Sequence, residues 1–342
     1  MSYEPFEPVA LGRTGLWVTR LGLGGASIGG LFEPVSDAAA AAVVEHAWGL
    51  GIRHFDVAPL YGYGAAERRM GSVLANQPRD EFVLSTKVGR LVRPLAELRP
   101  GDDLDHQAIG GRDDAYYAEV NDRRIVFDYS ADGVRRSVEA SLERLGLERI
   151  DILYIHDPDR HWRAALEGAY PALERLRAEG VVGAIGAGMN QWQMLARFAA
   201  ETDVDVLLVA NRYTLLDPGA LRELLPLCLE RGIAVLVAGV MNSGLMVDPA
   251  RGGPFDYGPA PSEMVVRARR IATVCARHGV PVRAAATQFP LAHPAVTGLI
   301  VGVRTAAHLD DYPAGLRRQI PAALWADLRA EGLLPADAPT PG

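Results

Sequence analysis

Eight short apolar or β-branched runs alternate with longer amphipathic stretches along the chain. The runs cover residues 19–24, 54–57, 82–87, 150–156, 183–186, 204–209, 234–237 and 298–301. The stretches between them include 37–50, 65–75, 131–145, 164–178, 192–201, 219–231 and 262–277. Nearly continuous apolar runs are the pattern of parallel strands buried on both faces. The longer stretches carry helix marks. Val134, Val138, Leu142 and Leu145 form one stripe at helical spacing, with Ser130 placed as N-cap and Gly146 as terminator. Gly51, Gly180 and Gly232 end other helices in the same way. Eight strand–helix units imply a closed α/β barrel, (β/α)8, with a doubly wound sheet as the alternative. A length of 342 residues suits one barrel domain over 1–342, and no Pro-, Gly- or Ser-rich linker divides it.

Two long polar insertions, 90–130 and 241–261, follow the third and seventh strands. In a barrel, the loops after strands gather at the C-terminal mouth, so both are expected to wall a cleft. A net charge of −7 gives no attraction to phosphate backbones or anionic lipid, so no nucleic-acid or membrane partner is expected. Cys228 and Cys275 share no close spacing and are expected to be reduced, buried thiols. The N-terminus lacks a basic-then-apolar leader, and runs such as 206–210 and 233–240 are too short to span a bilayer. The expectation is a soluble cytoplasmic protein with no metal site; its oligomeric state is open.

Chemistry-bearing residues fall at or just past strand ends. Asp56 ends the second strand, Tyr61 follows in the next loop, Lys87 ends the third strand and His156 ends the fourth. In a parallel barrel all four face one mouth. A carboxylate can hold an ammonium beside a phenol, the ammonium favours the phenolate, and a histidine can orient a substrate oxygen. Taken singly, each has an ordinary explanation: a loop-capping Asp, a packed Tyr or His, a solvated Lys. The glycine-rich segment 22–30 follows a strand, but no helix opens there, so it does not meet the requirement for a Rossmann phosphate loop.

The segment Gly51-Ile52-Arg53-His54-Phe55-Asp56-Val57-Ala58-Pro59-Leu60-Tyr61-Gly62-Tyr63-Gly64, continuing to Glu67 and Gly71, resembles the signature of the aldo-keto reductases. Ser85-Thr86-Lys87, Asp151–His156 and Gly183–Gly186 follow in the order of that family, and residues 11–16 resemble the hairpin that plugs its barrel. The resemblance implies a TIM barrel, a bound nicotinamide dinucleotide and a catalytic tetrad of Asp56, Tyr61, Lys87 and His156. It further implies cofactor contacts at Gly25, Ala26, Asp56 and Asn211, at Asn190 for the carboxamide, and at Ser243, Gly244 and Leu245 for the pyrophosphate. Gly302, Val303, Arg304 and His308 are implied on the adenosine. Two positions depart from the family: Gly188-Met189-Asn190 replaces the usual Ser-Asn, and Gly239 or a neighbour stands where an aromatic ring commonly stacks on the nicotinamide. Arg304 is followed by Asp310 and Asp311 rather than by cations, which favours NAD over NADP, with NADP the alternative.

His156-Asp157-Pro158-Asp159 and Arg212–Asp217 resemble the family's sugar-oxidising branch. The implied reaction is oxidation of C1 of an L-fucose- or L-galactose-like aldose to a lactone, with Lys87 lowering the pKa of Tyr61. Phe32, Tyr61, Tyr129, His156 and Asp157 are the expected substrate contacts, and Trp162 offers a further stacking surface. The alternatives are a pyridoxal 4-dehydrogenase, an NADP-dependent carbonyl reductase and, in another class, a non-catalytic nucleotide-sensing subunit.

Overall fold

The computed structural model describes residues 2–105, 117 and 122–342. Eight parallel strands close into a barrel: β1 Leu21–Gly24, β2 His54–Asp56, β3 Val83–Val88, β4 Ile152–His156, β5 Ala184–Met189, β6 Val206–Ala210, β7 Ala234–Ala238 and β8 Val296–Val301. Consecutive strands are neighbours, and β8 returns to β1 through Leu299↔Leu21 and Ile300↔Gly22. Closure leaves no sheet edge and excludes the doubly wound alternative.

The strands lie on the expected apolar runs, with one division. The run 19–24 splits because the Thr19 hydroxyl bonds to Leu21 O and accepts from Arg53 N, turning the chain at Arg20. Thr19 therefore ends an antiparallel hairpin, Pro8–Ala10 with Trp17–Thr19, and β1 begins at Leu21. Leu11 and Val18 of this hairpin pack with Val83, Ile152, Ala184, Val206 and Ala234, which fill the barrel from within.

The helices are capped as their sequences suggest. Ser36 and Ser130 accept from Ala39 N and Gly133 N at 3.2 and 3.0 Å, contacts worth about 1 kcal/mol each. The stretch 164–178 is less regular than its pattern: Trp162–Ala164 leads into a π-helical turn, Ala165–Ala169, before Tyr170–Ala178. Three more helices, Val282–Gln288, Ala306–Arg317 and Ala322–Ala330, complete the layer.

Both insertions carry strands of their own. Arg90–Pro94 pairs with Arg123–Phe127. Residues 106–116 and 118–121 of that insertion lie outside the described residues. In the second insertion, Pro254–Phe255 pairs with Gly258–Pro259 around Asp256 and Tyr257, whose φ values of 52° and 65° are those of a tight hairpin turn. Among the described residues, no helix is long and apolar enough to cross a membrane. Cys228 and Cys275 are buried and unpaired, and burial pushes each thiol up to about 12.

Candidate active site

Side chains alternate across a strand, so residues two apart share a face. Val83 and Ile152 point into the lumen. Two and four residues on, Ser85 and Lys87 follow in β3, and Tyr154 and His156 in β4. His54 and Asp56 continue the set in β2. Asp56, Lys87 and His156 are thereby the last inward residues of adjacent strands.

Lys87 Nζ lies 2.6 Å from Asp56 Oδ2 and donates to Val57 O at 3.0 Å. Ser85 Oγ donates to the other Asp56 oxygen at 2.7 Å. The pair is buried, with side chains 1% and 4% exposed. A charge in such a place needs its partner. Tyr61 comes from the loop after β2. Its backbone crosses Gly29 so closely that a Cβ on Gly29 would stand 2.9 Å from Tyr61 C, and one on Gly62 would stand 2.3 Å from Gly29 O. Two of the glycines that looked like a phosphate loop and a signature turn are there for this crossing. The Tyr61 ring lies 4.8 Å from Lys87 Nζ and meets the His156 ring edge-on at 5.8 Å. The four residues form one cluster.

Electrostatics differ from the expectation in one respect. Burial, reinforced by Asp56, pushes the Tyr61 phenol well above its ordinary value. The ammonium of Lys87 faces the ring, with two of its three N–H groups donated to Asp56 and Val57. His156 is held well below its ordinary value by burial, then by the charges of Arg90 and Lys87. Tyr61 is therefore a neutral phenol at neutral pH, and His156 a neutral imidazole.

A cavity of about 670 Å³ opens at this mouth, within the usual range for small-molecule sites. Of the expected contacts, Ala26, Phe32, Asp56, Tyr61, His156, Asp157, Asn190, Asn211, Gly239, Ser243, Gly244, Gly302, Val303, Arg304 and His308 line it, as does Lys87. Gly25, Leu245, Tyr129 and Trp162 are not part of its lining. Gly25 packs on the barrel wall, where its N–H donates to Asp56 O at 2.7 Å. Leu245 is fully buried in the core. Tyr129 is a strut: its ring stacks on Phe127, and its hydroxyl donates to His156 O at 2.8 Å. Trp162 packs against Phe198 beneath Arg197.

The lining also includes residues with little sequence signal of their own. Tyr257 donates from its hydroxyl to Asn190 Oδ1 at 3.1 Å and lies 6.3 Å from the Phe32 ring. Its one sequence signal is Asp256-Tyr257-Gly258, a hairpin-turn pattern inside a long insertion. Tyr117 stands 6.1 Å from Tyr61, and its one sequence signal is its place in the first insertion. At the far end, Arg283 pairs with Asp311 at 2.6 Å, and Arg304 pairs with Glu33 at 3.2 Å. Among the described residues, no group of three His, Cys, Asp or Glu side chains is placed to hold a metal ion.

Residues 20–330 match the model of the Aldo/keto reductase family, and the chain belongs to that family. It is accordingly an NAD(P)-dependent oxidoreductase acting on small carbonyl or sugar substrates. It is 46% identical to a D-threo-aldose 1-dehydrogenase from a Pseudomonas species, over 96% of this chain and 98% of the relative. It is 43% identical to a pyridoxal 4-dehydrogenase of Microbacterium luteolum, over 98% and 100%. The holo structure of an aldo-keto reductase from Bacillus halodurans shares the fold at 21% identity, with a TM-score of 0.73 over 97% of this chain and 98% of that one.

Proposed function

We propose that this enzyme is an NAD-preferring aldose 1-dehydrogenase, oxidising C1 of an L-fucose- or L-galactose-like sugar to the lactone. The observation that carries this is the buried Asp56–Lys87 pair with Tyr61 and His156 at the floor of the cavity. The similarity to an aldose 1-dehydrogenase supports the substrate class.

The cavity fits a nicotinamide dinucleotide. Asn211 is 2% exposed and lines the cavity, and its Oδ1 is buried without a hydrogen-bond partner. Such an acceptor is costly unless a donor meets it, and a carboxamide N–H is a suitable one. Asn190 Oδ1 is already taken by Asn211 Nδ2 and Tyr257, so Asn211 is the stronger candidate for that contact. Gly239, with φ 66°, leaves room here: a Cβ would stand 2.4 Å from Asn211 Oδ1. Ser243 and Gly244 are the candidates for the pyrophosphate, and Gly302 to Arg304 with His308 for the adenosine. The preference for NAD rests on Arg283 and Arg304, both already paired to carboxylates and so poorly placed for an added 2′-phosphate.

The nicotinamide supplies the hydride acceptor. Tyr61 takes the proton of the C1 hydroxyl, Lys87 stabilises the charge that forms on it, and Asp56 holds Lys87. Neutral His156 orients the same oxygen through its ring N–H. In reduction the neutral phenol of Tyr61 is the acid.

The test is absorbance at the reduced-nicotinamide band with purified protein, NAD or NADP, and a panel of aldoses plus pyridoxal. Rapid NAD reduction by an L-fucose- or L-galactose-like sugar is expected. Turnover only with pyridoxal, the substrate named for the 43% identical relative, would select that reaction instead.

A further inference from the structure

Asp157 follows His156 directly and adopts φ 39°, a left-handed conformation that is strained for a residue with a side chain. Several groups hold it there. Asn190 N donates to Oδ1 at 3.2 Å, and Arg90 Nη2 donates to Oδ2 at 3.2 Å. Arg90 is itself 1% exposed and is anchored by Asp105 at 2.7 Å. The hydroxyl of Tyr129 braces the backbone, reaching His156 O and Asp157 O. The first insertion therefore buries an arginine that pairs with this carboxylate.

The geometry leaves that carboxylate facing the chemistry. Oδ2 stands 3.6 Å from His156 Nε2, and Asp157 lines the cavity beside His156 and Tyr61. A carboxylate has about four acceptor sites, so the bonds from Asn190 and Arg90 leave capacity on the cavity side. Burial, opposed by Arg90, pushes the carboxyl up to about 6, so it is mainly an ionised acceptor at neutral pH. In the reaction proposed above, the C1 oxygen lies against Tyr61 and His156. The 3.6 Å between His156 Nε2 and Asp157 Oδ2 puts the carboxylate within reach of an oxygen on the adjoining carbon.

We infer that Asp157 accepts a hydrogen bond from the hydroxyl on the carbon next to the reacting one, selecting aldoses that carry a C2 hydroxyl over 2-deoxy sugars and simple aldehydes. This rests on the reading of the site as one that oxidises C1. Hydrogen bonds to charged groups favour the hydroxylated substrate by roughly 10- to 100-fold, and a substrate without the hydroxyl leaves a desolvated carboxylate unmet. Of the charged and aromatic groups that hold the strand end, Arg90 and Tyr129 are not part of the cavity lining, whereas Asp157 is.

The test compares kcat/KM with NAD for L-fucose and 2-deoxy-L-fucose, and for L-galactose and 2-deoxy-L-galactose, in the wild type and in Asp157→Asn. The wild type is expected to prefer the hydroxylated sugar of a pair by roughly 10- to 100-fold. Asp157→Asn is expected to bring that ratio to within a few-fold of one. A purely structural role would lower both sugars together and leave the ratio unchanged, and that result would overturn the inference. Equal kcat/KM for the pair in the wild type would also overturn it, while C1 oxidation stood and without reliance on any variant. Failure of every aldose to reduce NAD would remove the proposed function itself.

Discussion

Replacing Lys87 by Met removes the one cation that, among the described residues, meets Asp56 inside the barrel. Asp56 keeps only the Ser85 hydroxyl at 2.7 Å, with its side chain 4% exposed. Breaking a buried pair in this way costs about 3–5 kcal/mol, because a desolvated charge is left behind. Unfolding entropy is about 2 cal/mol/K per residue, so the loss lowers the melting temperature of a chain of 342 residues by about 4–7 °C. Asp56→Asn in the same chain removes the orphaned charge. The double variant should therefore regain part of the loss, with a coupling energy of about 1.5–3 kcal/mol. Turnover should stay absent in single and double variants alike, since Tyr61 has lost the ammonium that lay 4.8 Å from its ring. Melting followed by circular dichroism, with turnover measured on the same samples, reads both quantities. A Lys87→Met protein that melts with the wild type, or strictly additive losses in the double variant, would refute the reasoning.

Because burial holds the Tyr61 phenol well above its ordinary value, oxidation must wait for the small phenolate fraction. Its kcat/KM should climb by up to about tenfold per pH unit above neutrality, while reduction stays level; an oxidation optimum near neutrality would contradict this. Asp311→Asn frees Arg283, paired to it at 2.6 Å, and should shift the NADP/NAD ratio of kcat/KM upward by about tenfold. An unchanged ratio would remove Arg283 from the account of cofactor choice. His54 is buried beneath Asp56, and burial, then the charge of Lys87, lowers its pKa to about 3. The unfolded chain takes up that proton from about pH 6.5 downward, so stability complete above that pH is lost as pH falls toward 3, by about 2 kcal/mol near pH 5. Denaturant titrations of His54→Leu should show a shallower loss over that window; equal slopes in the two proteins would contradict it.

The barrel was legible in the sequence because buried parallel strands leave an unusual mark, runs apolar on both faces, and eight such marks recur. Three members of the cluster were legible for the same reason. A Lys, an Asp and a His ending buried strands have nowhere to turn but the mouth. What was lost depended on packing between distant segments. Tyr129 reads as a cavity aromatic until its hydroxyl is seen on His156 O, and Leu245 reads as a loop contact until it is seen in the core. Arg90 lies 67 residues from Asp157, and no local pattern joins them. The net direction of the Tyr61 shift is not legible in sequence for a similar reason. Proximity to Lys87 is visible from spacing and resemblance, whereas the depth of burial that outweighs it belongs to the folded mouth.

The central claim is that Tyr61 moves the proton in a site assembled by Asp56, Lys87 and His156, and Tyr61→Phe tests it most directly. Turnover of the sugar that reduces NAD fastest would be measured beside cofactor binding by fluorescence titration. The account predicts a loss of about 10²-fold or more in turnover with cofactor affinity within a few-fold of wild type. Near-normal turnover in that variant would contradict it.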